Sequence, residues 1–252
     1  MTTLILDGDL LAYRSAISCE EVTEWDDNLF TLHADANVGI NKLSNNMSFL
    51  KEKFNATRMV VALSSRNNFR KTIEPTYKSN RKKTRKPIIY TKLLEWFYRN
   101  IECFSFEGLE GDDIMGIFAT SEEFKNEDVI LISSDKDMRT IPAKICGLEA
   151  DDKIEVISQK DADYWFMIQT LTGDVTDGYS GCPKVGKVTA QKLLANVKHD
   201  IKLMWEIVKE AYAKADLDEE YAIRQSQLAR ILRQSDWDSN SRTPILWRPE
   251  NA

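Results

Sequence analysis

Histidine is almost missing from this chain. His33 and His199 are the only two, and neither has a second histidine at ligand spacing. Any catalysis must therefore run on carboxylates, lysines or metal ions rather than on imidazole. The four cysteines, Cys19, Cys103, Cys146 and Cys182, are scattered with no CxxC pair. That pattern argues for a reducing compartment and against a disulfide framework or a zinc site. No apolar run is long enough to span a membrane and no signal-peptide pattern opens the chain, so a cytoplasmic protein without a membrane partner is expected. With 252 residues, 42% of them hydrophobic and 29% charged, the chain suits one large domain or a domain with an appended subdomain.

The net charge of −6 hides a sharp asymmetry. Between Arg66 and Lys86 there are nine basic residues (Arg66, Arg70, Lys71, Lys78, Arg81, Lys82, Lys83, Arg85, Lys86) and one acid, Glu74. That segment is net +8, which leaves −14 for the rest. Such a run is most often a solvated loop. Like charges so concentrated repel one another, however, unless a polyanion relieves them. Phe69 and Tyr77 lie among the cations, a mixture suited to a phosphate backbone with a base or sugar to stack on. A mobile basic loop leading into a helix from Tyr90 is expected.

The acids form the complementary pattern. Leu4–Leu6 and RMVVAL (Arg58–Leu63) read as buried strands, and VILIS (Val129–Ser133) as a third. Asp7 stands just beyond the first, and Asp135 and Asp137 just beyond the third. Glu110, Asp112 and Asp113 follow IECFSF and open a helix through Ile114, Ile117 and Phe118. Acids in a first helical turn ordinarily complement the helix dipole, and Asp-Gly ordinarily starts a turn. Asp7-x-Asp9 after a strand also suits an aspartyl phosphotransferase, but the rest of that pattern is absent. In a parallel sheet the carboxyl ends of the strands lie together, where open α/β sheets place ligands. Asp174 and Asp177 bring the set to eight carboxylates. So many like charges need cations, and hard oxygen ligands select Mg2+ or Mn2+. A pair of ions about 4 Å apart would clamp the attacking and leaving oxygens of a phosphodiester.

Both chemistries meet in GDVTDGYSGCPKVGKVTA (Gly173–Ala190). Its two aspartates are followed by Gly178, Gly181 and Gly186, with Lys184 and Lys187 between and beyond. A glycine-rich loop lets backbone N–H groups approach an anion, and a helix starting near Gly186 adds its positive end. A solvated surface loop is the plainer reading of the same composition.

The motifs ILDG, PTYKSNRK, EGDD, SSDKD and GDVTDGYSGCPKVGKVTA, followed by LARILR and ILWRP, occur in an order that resembles the 5′-nuclease (flap endonuclease) superfamily. The resemblance covers nearly the whole chain and is greatest to the 5′→3′ exonucleases of T7-type bacteriophages. It implies an α/β, PIN-like domain over 1–160, with a central mostly parallel sheet flanked by helices and a basic loop or arch at 66–100. Residues 161–252 would carry a helix–three-turn–helix DNA-binding element and a C-terminal helical region. It also implies a two-metal 5′→3′ exonuclease acting on duplex DNA at 5′ ends, nicks or flaps, and on RNA–DNA hybrids, as in primer removal during phage replication in a bacterial cytoplasm.

The metal acids implied are Asp7, Glu110, Asp112, Asp113, Asp135, Asp137, Asp174 and Asp177. Lys78 and Arg81 would meet the scissile phosphate. Arg70, Tyr77, Lys82, Lys83, Lys184, Gly186, Lys187 and Thr189 would contact DNA, with Tyr77 stacking. Two Mg2+ or Mn2+ are implied, and one K+ on carbonyls of the 178–190 turn. A single-stranded-DNA-binding protein or a polymerase would be the protein partner. One departure stands out: where relatives carry an aspartate after the second strand, this chain has Ser65, and Asp9 is the acid placed to compensate. Two other functions fit parts of the pattern. One is a duplex-binding protein that has lost a metal ligand at Ser65. The other is a PIN-type ribonuclease, which would not need the glycine–lysine turn.

Overall fold

The computed structural model describes residues 1–27 and 29–251, and the side chains of Lys82, Lys83 and Asn251 lie outside the described set. The expectations for Lys82 and Lys83 as DNA contacts fall there. Strand β1 (Thr2–Asp7) is buried along a continuous run because helices cover both faces of its sheet. Asp7 ends it and caps helix α1 (Gly8–Ile17), accepting from Leu10 N–H at 3.0 Å. Strands β2 (Glu21–Asp26) and β3 (Leu29–His33) pair as an antiparallel hairpin. Nearly all of its residues are exposed, so no alternation of burial marks it in the sequence. Helix α2 (Ala36–Lys53) starts after the hairpin, is capped by Asp35 and buries Leu43, Met47 and Leu50 at helical spacing.

Strand β4 (Arg58–Ala62) precedes the basic segment. That segment is not a plain loop: it holds a helical turn α3 (Arg70–Ile73) and a 3-10 turn over Ser79–Lys83. Helix α4 (Tyr90–Asn100), strand β5 (Glu102–Phe104), helix α5 (Gly111–Ala119) and strand β6 (Asp128–Ile132) follow. Short strands β7 (Lys144–Cys146) and β8 (Glu155–Val156) complete the sheet. Four helices come next: α6 (Gln159–Thr172), α7 (Lys187–Leu194), α8 (Ile201–Ala213) and α9 (Glu219–Ala229). Strands β9 (Trp237–Asp238) and β10 (Thr243–Pro244) close the chain as a small hairpin. Helix α9 ends at Ala229, within the LARILR stretch. Beyond it, Arg230 turns to Asp236 at 2.8 Å and Arg233 to Asp163 at 2.7 Å, contacts that an uninterrupted helix would not present together.

The sheet order is β5-β4-β1-β6-β7-β8, parallel except that β8 runs against β7. The chain moves outward from β1 through β4 to β5, then returns to place β6 on the other side of β1. The strand order therefore reverses at β1, and the crevice for a ligand opens at the carboxyl ends of β1 and β6. Register puts Asp7 beside Ala62 and Leu6 beside Ile132, so Asp7 and Ser133 emerge as neighbours. One apolar core packs α1, α2 and α4 on a face of the sheet, and a second packs α5 and the C-terminal segment on the other. A third lies among α6–α9 and also takes in Tyr77 and Tyr179.

A buried ion pair ties these parts together. Arg70, expected on DNA, is 3% exposed and grips Asp113 with bonds of 2.8 and 2.7 Å. Its guanidinium also donates to the carbonyls of Leu228 and Arg230, and Asp113 accepts from Leu232 N–H. All the strong donors of Arg70 are thus committed inside the protein, and it offers DNA nothing. Asp113→Asn should destabilise the protein by about 3–5 kcal/mol, because it leaves a buried guanidinium without its counter-charge. Replacing both residues by apolar ones should recover much of that loss. Urea unfolding of the single and double variants checks this, and equal losses in the two would be incompatible with the argument.

Candidate active site

Each acid reaches the crevice from an element end. Asp7 terminates β1 and Asp9 occupies the first turn of α1. Glu110 precedes α5 and Asp112 lies in its first turn, while Asp113 closes a capping box by accepting from Glu110 N–H at 3.1 Å. Asp113 thereby does the work that a first-turn acid ordinarily does. It is fully buried against Arg70, and this sets it apart from the open acids, contrary to the expectation that it binds metal. Asp135 follows β6 and caps the turn Lys136–Thr140, which carries Asp137.

Asp174 and Asp177 come from the turn after α6. That turn is closed by the bridge between Asp174 and Tyr179 and by a back-to-back contact of two glycines. A Cβ on Gly181 would stand 2.3 Å from Gly173 N, and both residues have positive φ, so neither position admits a side chain.

Two adjoining clefts collect these groups. One, of about 190 Å3, is lined by Glu110, Asp112, Asp135, Asp137, Asp174 and Asp177. The other, of about 560 Å3, is lined by Asp7, Asp9, Glu110, Asp112 and Asp135. Seven of the eight acids named from the sequence are therefore brought together, with Asp113 left out. Asp9 joins them. It accepts from Ser64 N–H at 2.7 Å and from the Tyr90 hydroxyl at 2.7 Å. Its position two residues beyond a strand-ending aspartate was the available signal. Ser65 lies elsewhere: its hydroxyl donates to Asn67 O and accepts from Gly108 N–H, and of the two adjacent serines it is Ser64 that lines the cleft.

Cations from the basic segment enter the same clefts. Lys78 Nζ lies 2.5 Å from Glu110 Oε1 and 3.5 Å from Asp177 Oδ2, and Arg81 pairs with the other oxygen of Asp177. Lys136 reaches Asp174 at 3.4 Å. The Tyr77 hydroxyl lies 3.1 Å from Glu110 Oε2 and 3.0 Å from Asp177 Oδ2, and the residue is 2% exposed. Tyr77 therefore braces two acids from below and has no free face for a base. Lys184, Gly186, Lys187 and Thr189 stand exposed on the turn before α7 and on its first residues. A Cβ on Gly186 would meet nothing within 4 Å, so the space before that helix is open to an approaching backbone.

The charges divide the acids into two groups. Burial raises Glu110, but Lys78 and Arg70 more than offset it and hold the carboxyl below its usual range. Asp174 is likewise held low against burial by Lys136 and by the N–H groups of Thr176 and Asp177. Asp7, Asp112 and Asp137 make no such ion pair among the described residues. Burial, with Asp9 and Asp135 adding to it, pushes Asp7 up to about 6 despite bonds from Leu10 N–H and Ser133. Asp137 is pushed up to about 6 by burial and then by Asp135. Asp112 is driven well above the carboxylate range by burial, Asp7 and Asp135.

These crowded acids need positive charge from outside the chain. An all-oxygen donor set suits hard divalent ions. Among the described residues no three acids already stand as an ion-holding group. Glu110 and Asp177 grip lysine and arginine instead, so binding an ion there means exchanging those partners.

Residues 2–145 match the family described as 5′-3′ exonuclease, N-terminal resolvase-like domain. The exonuclease of Escherichia phage T7 is 30% identical over 98% of this chain and 93% of its own length. The exodeoxyribonuclease of Enterobacteria phage T3 is 30% identical over the same shares. Among solved structures, a flap endonuclease of bacteriophage T5, in a complex with DNA and metal ions, superposes with a TM-score of 0.67 at 18% identity. That match covers 91% of this chain and 89% of that one. No helix among the described residues is long and apolar enough to cross a membrane.

The acid cluster has a testable stability signature. Asp7 and Asp137 have folded pKa values near 6, above the ordinary 3.8. Their contribution is therefore fully present below about pH 4 and is lost as pH rises through about 6. Divalent ions compete best when the acids are ionised. The rise in Tm on adding Mg2+ should accordingly be larger at about pH 7 than at about pH 5. Calorimetry at both values, with EDTA as reference, checks the sign. An increment that does not grow with pH would mean that these acids hold no cation.

Proposed function

This chain belongs to the 5′-3′ exonuclease family, and from that premise we propose that it is a divalent-metal-dependent nuclease that hydrolyses duplex DNA in the 5′→3′ direction at ends, nicks or flaps. The observation that carries the reading is the meeting of Lys78 and Arg81 with an acid-lined cleft at the carboxyl edge of the sheet. Asp7, Asp9, Asp112, Asp135, Asp137 and Asp174 would hold Mg2+ or Mn2+, with Glu110 and Asp177 joining once their cations turn to substrate. Bound divalent ions would supply charge neutralisation and an activated water for in-line hydrolysis.

The chain's own groups do the rest. Lys78 sits in the left-handed region, φ 54°, and its N–H donates to Asp177 O at 2.7 Å, which aims its side chain into the cleft. Lys78 and Arg81 already rest on carboxylate oxygens, and a phosphate would take over those bonds. They would then meet the charge that develops on the phosphate during displacement. Tyr77, bonded to Glu110 and Asp177 from below, keeps the two acids spaced.

Residues 1–160 would form the hydrolytic unit and 161–252 the duplex-binding one. Lys184, Gly186, Lys187 and Thr189 would receive the duplex backbone, and K+ would sit at the 178–190 turn. RNA–DNA hybrids, a role in primer removal, a polymerase or single-stranded-DNA-binding partner, and a bacterial host cytoplasm belong to the same proposal. The reading as a weakened duplex-binding protein rested on Ser65. That residue lies off the cleft, so it no longer favours this reading.

Asp135→Asn should lower turnover on 5′-labelled nicked and flapped duplexes at least about 100-fold, with duplex affinity in Ca2+ nearly unchanged. Turnover near wild type would remove Asp135 from the metal set. Lys78→Ala should reduce the single-turnover rate far more than affinity, because its main effect falls on the transition state. Equal losses in both would reduce Lys78 to a general electrostatic contact. Asp9→Asn should raise the Mg2+ concentration for half-maximal activity while Ser65→Asp does not lower it. A Mg2+ titration showing the reverse would return Ser65 to the site.

A further inference from the structure

A third cleft, of about 220 Å3, continues from the acid-lined one, sharing Lys136, Asp137, Gln169 and Asp174 with it. Its far wall is different in character. Trp165, on α6, is flanked by Arg139 with its guanidinium carbon 5.7 Å from the ring centroid, and by Lys187 with Nζ at 5.4 Å. The indole is steadied edge-to-face by Tyr164 at 5.6 Å. Two cations from separate segments, Arg139 on the turn after β6 and Lys187 on α7, thus flank one aromatic plane in a chain of net charge −6, while Lys136 at the shared edge of the cleft is held by Asp174.

The fold gains little from this grouping. Arg139 has Glu155 at 2.9 Å, but both side chains are well exposed, and such pairs contribute little. Lys187 is the first residue of α7, where the helix dipole disfavours a cation. The first turn of α7 has no acid, and its cap residue Gly186 offers no side-chain acceptor. Among the described residues Lys187 pairs with no acid, and Arg139 has only the exposed Glu155, so the far wall of the cleft can take an external anion. Its chemistry follows from the surroundings: an anion beside a flat apolar face, continuous with the acids proposed to hold the metal ions, is a sugar–phosphate unit of a nucleic-acid strand.

We propose that this cleft holds a backbone phosphate neighbouring the scissile one, with Trp165 and Arg139 as substrate-positioning residues. The inference rests on the nuclease reading above and extends it to residues outside the acid set and the basic segment. Lys187 and Arg139 would grip the phosphate from two sides while the indole supports the adjoining sugar. The bound strand would then be registered between the acids and α7, which fixes which phosphodiester enters the acid cleft.

The test uses nicked duplexes that each carry a single uncharged methylphosphonate at one of successive positions around the nick. Binding is measured in Ca2+ and cleavage in Mg2+. In the wild-type protein one position should weaken binding about tenfold, the size expected for loss of one charge-assisted contact. Arg139→Ala should abolish the sensitivity at that position only, and should make the slope of log K against log salt shallower by about 0.9. Trp165→Ala should raise KM with kcat little changed, and Trp165→Phe should restore most of the loss by retaining an aromatic face. If Trp165→Ala lowers Tm, Arg139→Ala and Trp165→Phe still carry the test. Additive effects of Arg139→Ala with every methylphosphonate, or an unchanged salt slope, would overturn the proposal. A wild-type protein that cuts no nicked duplex would instead overturn the nuclease reading, before any variant is compared.

Discussion

Mutual repulsion among carboxylates is the constraint around which this molecule is arranged. Asp7, Asp9, Glu110, Asp112, Asp135, Asp137, Asp174 and Asp177 all open onto two adjoining clefts at one edge of a sheet. Crowded acids in a poorly solvated crevice favour protonation or a cation, and both responses are visible here. Glu110, Asp174 and Asp177 have drawn lysine or arginine onto themselves. Asp7, Asp112 and Asp137 have no such partner among the described residues, and burial pushes their proton affinity up. The second group is where external cations have most to stabilise.

Such a cluster needs a rigid frame, since repulsion would otherwise spread it. Part of the frame is the parallel sheet, whose register holds Asp7 beside Ser133 at 2.8 Å. The rest is the buried pair of Arg70 and Asp113. It joins the start of the basic segment to α5 and to the carbonyls at the end of α9, three regions far apart in sequence. Glu110 and Asp112 project from the same α5 turn that Asp113 locks. A residue buried against Arg70 therefore sets the direction of two that face the cleft.

The basic segment plays two parts that a count of its charges cannot separate. Arg70 is structural, Lys78 and Arg81 lie over the acids, and Arg85 is clasped by Glu20 through bonds of 2.6 Å at the base of the first hairpin. Both ends of the segment are thus tied to the body of the protein. The cations over the cleft make bonds that a phosphate can replace, so the resting ion pairs resemble the contacts proposed for substrate.

Much of this was legible in the chain itself. Buried strands appear as apolar runs, and an acid directly after such a run marks the carboxyl end of a strand, so the run alone places Asp7, Asp135 and Asp137. The glycines of Gly173–Ala190 likewise marked a loop in the sequence, but that two backbones meet where Gly173 and Gly181 leave no room for Cβ came only from the fold. What only the tertiary structure decided is the division of labour among residues of the same type. Asp112 and Asp113 are adjacent in sequence, yet one faces the cleft and the other is buried against Arg70, because successive residues of a helix point about 100° apart. Tyr77 reads as a stacking residue among cations and is a buried brace, while Trp165 carries no signal in the sequence and lines a cationic cleft. Local pattern determines which elements form and where their ends fall. Which way each end residue turns depends on partners far along the chain, and those partners are set only when the sheet and the four later helices have packed.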